Sequence, residues 1–542
     1  MPAYSIGLDF GTTNSIISYL SPRGEPEAFQ YGGPDGQKYI PSFIAYEDAF
    51  IEIGTAARTT AAHNPAVESY GNFKMQLPIF PGISRTSSPL QRTPPSITAD
   101  YLRELLISAD NPYSFCNQQG EIAGVVVSVP EIWQRDIYNR GRECLQGVIR
   151  ELGLPLMQLV SEPVAAAAYY AWEMQRRALA NQEEPFTGNL LVCDVGGGTF
   201  DVSLCRIYRD NKVEVLYFDG QGAMGLDCAG VAFDRRCVQL AYTQKHGHPI
   251  AETDPEFSRL LREFETVKIG SHPRVTKKLI NCLKAPDIYE NQEIYLFAGG
   301  YSVTFGQVQA AFASIAPGIQ QVMQGVKSWL QQGAGTNREP TQLDRLFLVG
   351  GFSQFLLVQR TIFDSLEISS DDPRFDRSFN LTNSAYAISY GACLIANGLV
   401  DPTERYIHTL GILVDTINSS ASLAQKFITL VQGNTPLLDL LEPHFAQIPP
   451  LVPFPSNTIG DEHFLTITIW VDPQSRGIRF QESLPDLVRL PVGSDTRRWR
   501  VGMRVDRSQI AYLVIADTQG EKRLEYELGQ ITAKLFQGQL LD

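Results

Sequence analysis

The chain has 542 residues, 44% of them hydrophobic and 19% charged, with a formal net charge of −14. That composition is globular, with enough chain for about two to four domains or subdomains around large cores. The acidic balance, with Lys and Arg scattered along the chain, argues against nucleic acid or an anionic membrane as partner, since both need clustered cations.

In chain order, residues 1–47 read as strands and turns and 50–77 carry helix-like patterning. Residues 78–98, rich in Pro and Ser, read as a surface loop. A helix is expected to start near Thr98, with Asp100 early in it, and to carry Tyr101, Leu102, Leu105 and Leu106. Residues 124–129 form a β-branched strand closed by Pro130. Residues 135–152 read as a helix stopped by Gly153. A strand at 156–161 leads to Glu162-Pro163, which opens an Ala-rich helix over 164–178, and 180–188 is a polar connector. Residues 229–272 look mainly helical, 275–304 look like antiparallel strands, and 307–332 reads as one long amphipathic helix. A strand at 345–349 precedes Gly350-Gly351, which starts another helix, and 385–399 is a short helix containing small residues. From about 405 to 531 the chain is β-rich, with alternation at 464–471, 499–505 and 511–515, broken by six prolines within 433–459.

The eight cysteines form no CxxC pair, and several lie inside apolar runs, which suits buried, reduced thiols. The first residues lack an apolar signal core, and the apolar stretches fall far short of the roughly 20 residues a membrane span needs. A soluble, cytoplasmic protein is the expectation.

The chemistry concentrates in two short segments: Asp9-Phe10-Gly11-Thr12-Thr13-Asn14-Ser15 and Asp194-Val195-Gly196-Gly197-Gly198-Thr199-Phe200-Asp201. Each lies between two apolar runs, which predicts strand, glycine turn, strand: a hairpin whose tip offers a carboxylate and bare N–H groups. Successive N–H groups in such a turn make an anion nest. A carboxylate facing a phosphate implies a metal ion or metal-bound water between them. Two such hairpins suggest two halves of one nucleotide clamp.

Five segments in order, GLDFGTTNS, VVVSVPEIWQ, LVSEPVAAAAYYA, LVCDVGGGTFDVSL and LFLVGGFSQ, resemble the heat shock protein 70 (DnaK-type) chaperones, within the actin-like ATPase superfamily. The resemblance covers about 1–400 for the ATPase and, more weakly, 405–525 for a substrate-binding β-domain. It implies an α/β fold: a two-lobed actin-like ATPase of duplicated ribonuclease-H-like halves, then a β-rich domain with no helical lid. The expected divisions are lobe I at 1–187 (small subdomain about 40–110), lobe II at 188–400 (small subdomain about 226–304), a linker at 401–407, a β-sandwich-like domain at 408–531 and a tail at 532–542.

The resemblance also implies roles, with ATP or ADP and Mg²⁺ as cofactors. Asp9 and Asp194 would hold the cation, largely through water. Thr12 and Thr13, with Gly11, would contact phosphates, and Gly196, Gly197, Gly198 and Thr199 would wrap the β- and γ-phosphates. Asp201 would orient the attacking water or metal waters. Glu162 aligns with the family's catalytic-site glutamate and Lys74 with its phosphate-reaching lysine. Glu265 and Lys268 would reach ribose hydroxyls, and Gly350, Gly351 and Phe352 would lie at the adenosine end. There the chain departs from the family, with Ile269 and Gln354 where arginines are usual. Phe352 is either a substitute aromatic face or a core residue behind its strand.

The implied function is a slowly hydrolysing, chaperone-like ATPase that binds extended or unfolded peptide through a lidless β-domain. Its partners would include a J-domain helper and a nucleotide exchange factor. The alternative is a nucleotide-stabilised scaffold or assembly factor with one dedicated protein partner and little turnover. Pro402, Glu404 and Arg405 replace the family's apolar linker, so a poorly populated docked linker and weak coupling are expected.

Overall fold

The computed structural model describes residues 2–33, 36–47, 50–64, 66–79, 92–135, 140–222, 228–332, 340–417, 423–446, 455–459, 462–491, 499–517 and 523–528. The chain divides into two compact units: Met1–Ile132 with Leu145–Pro402, and Trp133–Cys144 with Thr403–Asp542.

The first unit holds two mixed sheets of matching order. In one, Pro26–Ala28, Asn14–Leu20, Ala3–Phe10, Glu121–Val129 and Leu156–Ser161 lie side by side. In the other, the sequence runs Asp401–Thr403, Lys212–Gln221, Phe200–Ile207, Gly188–Val195, Arg345–Val349. Each sheet opens with an antiparallel hairpin, Ala3–Phe10 with Asn14–Leu20 and Gly188–Val195 with Phe200–Ile207. In each, the first hairpin strand also pairs in parallel with a later strand, Glu121–Val129 or Arg345–Val349. The parallel strands are buried over 124–129 and 346–349, which is why 125–127 and 346–349 are continuous apolar runs rather than alternating ones.

Between the sheets run two helices of small residues, Glu162–Asn181 and Ala387–Ala396. Their core comprises Val164 through Ala168, Ala392 and Leu394, together with Leu190, Val192, Phe347 and Val349. The small side chains let the backbones touch. A Cβ added at Gly391 would stand 1.7 Å from the Ala165 carbonyl oxygen.

Several expectations need correction. Residues 50–77 are a strand Phe50–Ile53, a helix Gly54–His63, a strand Glu68–Gly71 and a 3-10 turn Phe73–Ile79. Gly54 and Asn72, both at positive φ, break what would otherwise be one helix. The helix expected near Thr98 starts at Pro94, capped by the Thr93 side chain, because Pro at the first turn loses no needed N–H; 80–91 of the expected loop lies outside the described residues. Residues 275–282 belong to the helix Pro255–Cys282. Their buried positions, Val275, Leu279 and Cys282, recur at helical spacing, so the strands are limited to Glu293–Phe297 and Tyr301–Thr304. The long helix splits into Phe305–Ala313, with a Thr304/Gln307 capping box, and Ala316–Gln332. Pro317 is tolerated in the first turn of the second helix but not inside a continuous one.

The connector differs as well. Asp401–Thr403 is a strand beside Lys212–Gln221, and Pro402 is buried. Sheet-edge pairing uses backbone groups, so it does not require the apolar side chains whose absence argued against docking.

The second unit is a β structure. One sheet orders Leu423–Val431, Thr409–Ile417, Glu462–Asp472 and Pro455–Ile459, with Phe480–Pro491 also paired to Glu462–Asp472. The other orders His444–Phe445, Trp499–Val505, Ala511–Asp517 and Arg523–Glu527. Ile412, Val431, Ile469, Met503, Leu513 and Ile515 share one core. The Trp470 indole N–H donates to the carbonyls of Ile412 and Ile428 at 3.2 and 3.3 Å. His408 is buried and hydrogen-bonded to the Gln134 carbonyl at 3.1 Å, and burial pushes its pKa down to about 4. The expected tail, 532–542, lies outside the described residues.

Candidate functional site

The two hairpin tips meet. A Cβ added at Gly197 would come within 2.8 Å of Thr13 Cγ2, and one at Gly198 within 3.0 Å of Thr12 Oγ1. Thr12, Thr13, Arg58, Asn72, Arg262 and Glu265 line a cleft of about 510 Å³. An Arg58–Glu265 pair at 3.6 Å spans it.

Beneath the tips lies a buried charge cluster. Asp9, half-buried one residue before the end of the first hairpin strand, accepts from Ser128 at 3.0 Å. Asp194 and Asp201 are opposite one another across the second hairpin. Asp201 accepts from the Ile132 N–H at 2.8 Å. Lys74 is 2% exposed, not a solvated lysine, and its Nζ lies 2.5 Å from Glu162 Oε1. The fold explains each position. Lys74 sits in the 3-10 turn that follows Asn72, and Glu162 starts the Ala-rich helix directly after a parallel strand. Gly350, at φ +82, closes over Asp194, where a Cβ would stand 2.2 Å from Oδ1.

Four carboxylates share this space with one lysine. Burial first, then repulsion from Glu162, pushes Asp9 up to about 7, against the pull of Lys74 and Ser128. The same two causes raise Asp201 to about 8. Asp194 is raised by burial and by Glu162, Asp201 and Asp9. Asp194 Oδ1 and Asp201 Oδ2 are buried and accept no hydrogen bond among the described residues. Orphaned buried carboxylate oxygens amid excess negative charge fit a divalent cation. No group of three or more His, Cys, Asp or Glu among the described residues is arranged to hold an ion directly.

The raised acids make a pH prediction. Folded Asp9 and Asp201 keep protons that the unfolded chain has already released above about pH 4. Stability therefore falls as pH rises through about 7 and 8. His408 acts with the opposite sign, but between its folded value of about 4 and the ordinary histidine value of 6.5. Thermal melting of the ligand-free chain is thus expected to move down between pH 6.5 and 8.5, with a shallower slope for Asp201→Asn. A flat or rising profile would contradict the cluster.

The remaining predicted residues are placed as follows. Thr199 is buried beside Asp201, to which it gives a hydrogen bond. Gly196 N–H closes the turn on the Thr199 carbonyl at 3.1 Å. Glu265 lines the cleft. Lys268 is engaged with both carboxylate oxygens of Asp234 at 2.7 and 2.6 Å. Gly351 faces open space. Phe352 is 5% exposed and stacked on Phe355 at 5.1 Å, within the core of its lobe. Ile269 is 62% exposed. Sequence reasoning missed Arg58, Ser128 and the Ile132 N–H, which reach the site only through long-range packing. No described helix is long and apolar enough to cross a membrane.

The chain is similar to known proteins over most of its length. The family model described as Hsp70 protein matches residues 82–404. A chaperone protein HscA homolog of Shewanella baltica is 26% identical over 475 residues, covering 80% of this chain and 67% of that protein. An HscA homolog of Azotobacter vinelandii is 25% identical over 484 residues, with the same coverages. The chaperone protein DnaK of Thermotoga neapolitana is 26% identical over 367 residues, 66% of this chain and 54% of that one. With more than half of its length matched by the family model, and with the paired hairpins and buried acids in place, the chain belongs to the Hsp70 family.

Proposed function

We propose that the chain binds Mg²⁺–ATP between its two hairpins, hydrolyses it slowly, and binds extended polypeptide through its second, β-rich unit. The observation that carries this reading is the tip-to-tip meeting of Thr12 and Thr13 with Gly197 and Gly198, beside the Lys74–Glu162 pair, the buried Asp194 and Asp201 and the half-buried Asp9. In this reading the amides of 11–13 and 197–199 receive the phosphates, and Asp9 and Asp194 hold the cation through water. A bound cation would neutralise charge on the phosphates.

The protein's own groups then act electrostatically. Phosphoryl transfer needs positioning and charge stabilisation more than a strong base. Lys74, fixed by Glu162, sets a positive charge at the transferring group in a water-poor site. Asp201, anchored by the Ile132 N–H and Thr199, is placed to orient water. The lobes of this ATPase would run over 1–187 and 188–400, with 408–531 as the peptide-binding part.

The engagement of Lys268 by Asp234 favours a second reading, a scaffold that keeps nucleotide as a structural ligand. Single-turnover ATP hydrolysis with and without a panel of unfolded peptides separates the two. Hydrolysis that speeds up with peptide supports the chaperone cycle. Bound ATP that does not turn over, with or without peptide, would replace it by the scaffold.

A further inference from the structure

The phosphate-loop carbonyls are all held from one side. Gly196 C=O accepts from the Gly230 N–H at 3.2 Å and Gly197 C=O from the Val231 N–H at 2.8 Å. Gly198 C=O accepts from the Cys228 thiol at 3.2 Å. The three donors sit at the start of the helix Ala229–His246, whose N-cap is Cys228. In a trans peptide the C=O of one residue and the N–H of the next point opposite ways. Fixing these three carbonyls therefore turns the N–H groups of Gly197, Gly198 and Thr199 away from that helix.

Two further observations show that the clamp is tight. Gly222 lies against it, with an added Cβ meeting Gly198 O at 2.6 Å and Cys228 Sγ at 2.7 Å. Ala229, between the thiol donor and the first amide donor, is held at φ +61. A Cβ disfavours that conformation, and it persists where surrounding contacts enforce it.

We propose that Cys228 is a positioning residue for the phosphate-binding turn. Its thiol holds the Gly198 carbonyl and so aims the Thr199 amide, and the chain's affinity for nucleotide phosphates depends on that contact. The inference rests on the nucleotide reading above. A thiol is a weak donor, and losing one hydrogen bond is worth about three- to tenfold in binding.

The test is calorimetry on the full-length chain with adenosine, ADP and ATP in the presence of Mg²⁺. Cys228→Ala should weaken ADP and ATP about three- to tenfold and leave adenosine unchanged. Cys228→Ser, which keeps a donor, should restore most of the loss. An equal loss for adenosine and ADP, or no loss at all, would overturn the proposal. If the variants fold poorly, alkylation of Cys228 in the wild-type chain, read by peptide mass spectrometry, gives an independent answer. ADP should slow it and adenosine should not, and equal rates would overturn the proposal. A wild-type chain that binds none of the three would refute the nucleotide reading itself, whereas phosphate-independent binding refutes only the role of Cys228.

Discussion

Replacing Lys74 by Ala is expected to lower ATP turnover about 10²-fold or more while leaving nucleotide binding within about an order of magnitude. The reason is the buried environment. The Lys74 ammonium is 2% exposed and lies 2.5 Å from Glu162 Oε1, with the aromatic ring of Phe10 5.7 Å away. In such surroundings charge interactions are much stronger than in water. The cation is also preorganised, since Glu162 is fixed at the start of a buried helix. Its loss removes stabilisation at the point where phosphoryl charge shifts, a cost of a few kcal/mol in barrier. Binding depends mainly on backbone amides in the two hairpins, which Lys74 does not build. Single-turnover hydrolysis and ADP titration on the same variant check both halves. Unchanged turnover would remove Lys74 from the mechanism.

Gly391→Val is expected to produce the largest loss of stability. The added Cβ would stand 1.7 Å from the Ala165 carbonyl oxygen, where an ordinary contact needs about 3.5 Å. The obstacle is backbone, so no side chain can rotate out of the way. The helices Ala387–Ala396 and Glu162–Asn181 would have to separate by roughly 1.5–2 Å, which should cost at least about 3 kcal/mol. That displacement reaches the site, because Glu162 is the first residue of the second helix. Nucleotide affinity should therefore fall along with the urea midpoint. Gly270→Ala is the matched control. It lies in the helix Pro255–Cys282 with nothing within 4 Å of its added Cβ, and should gain about 0.5–1 kcal/mol. Equal midpoints for the two variants would show that the helix crossing is looser than described.

Local turn chemistry made the two hairpins legible. Aspartate, glycine and threonine between short apolar runs specify strand–turn–strand within a dozen residues. The helix Glu162–Asn181 was legible for the same reason, with Pro163 marking its first turn and alanines marking a face that packs closely. What stayed hidden depends on distant partners. Lys74 gave no local sign of burial, since its partner is 88 residues away. Residues 275–282 contain β-branched side chains but bury every third or fourth position, and only the whole helix shows the period. The docked connector uses backbone pairing, to which side-chain composition is blind. The stretch Trp133–Cys144 grouped with the β unit because of contacts, such as Arg142 to the Ser508 carbonyl at 3.4 Å, that span most of the chain.

The central claim is that the paired hairpins form one Mg²⁺-dependent nucleotide site. Titration calorimetry of the full-length chain with ATP and ADP, in Mg²⁺ and in a chelator, tests it most directly. The account predicts one nucleotide per chain, with clearly tighter binding when Mg²⁺ is present, and loss of that Mg²⁺ dependence in Asp194→Asn. Absence of heat from either nucleotide at millimolar concentration with Mg²⁺ present would contradict it.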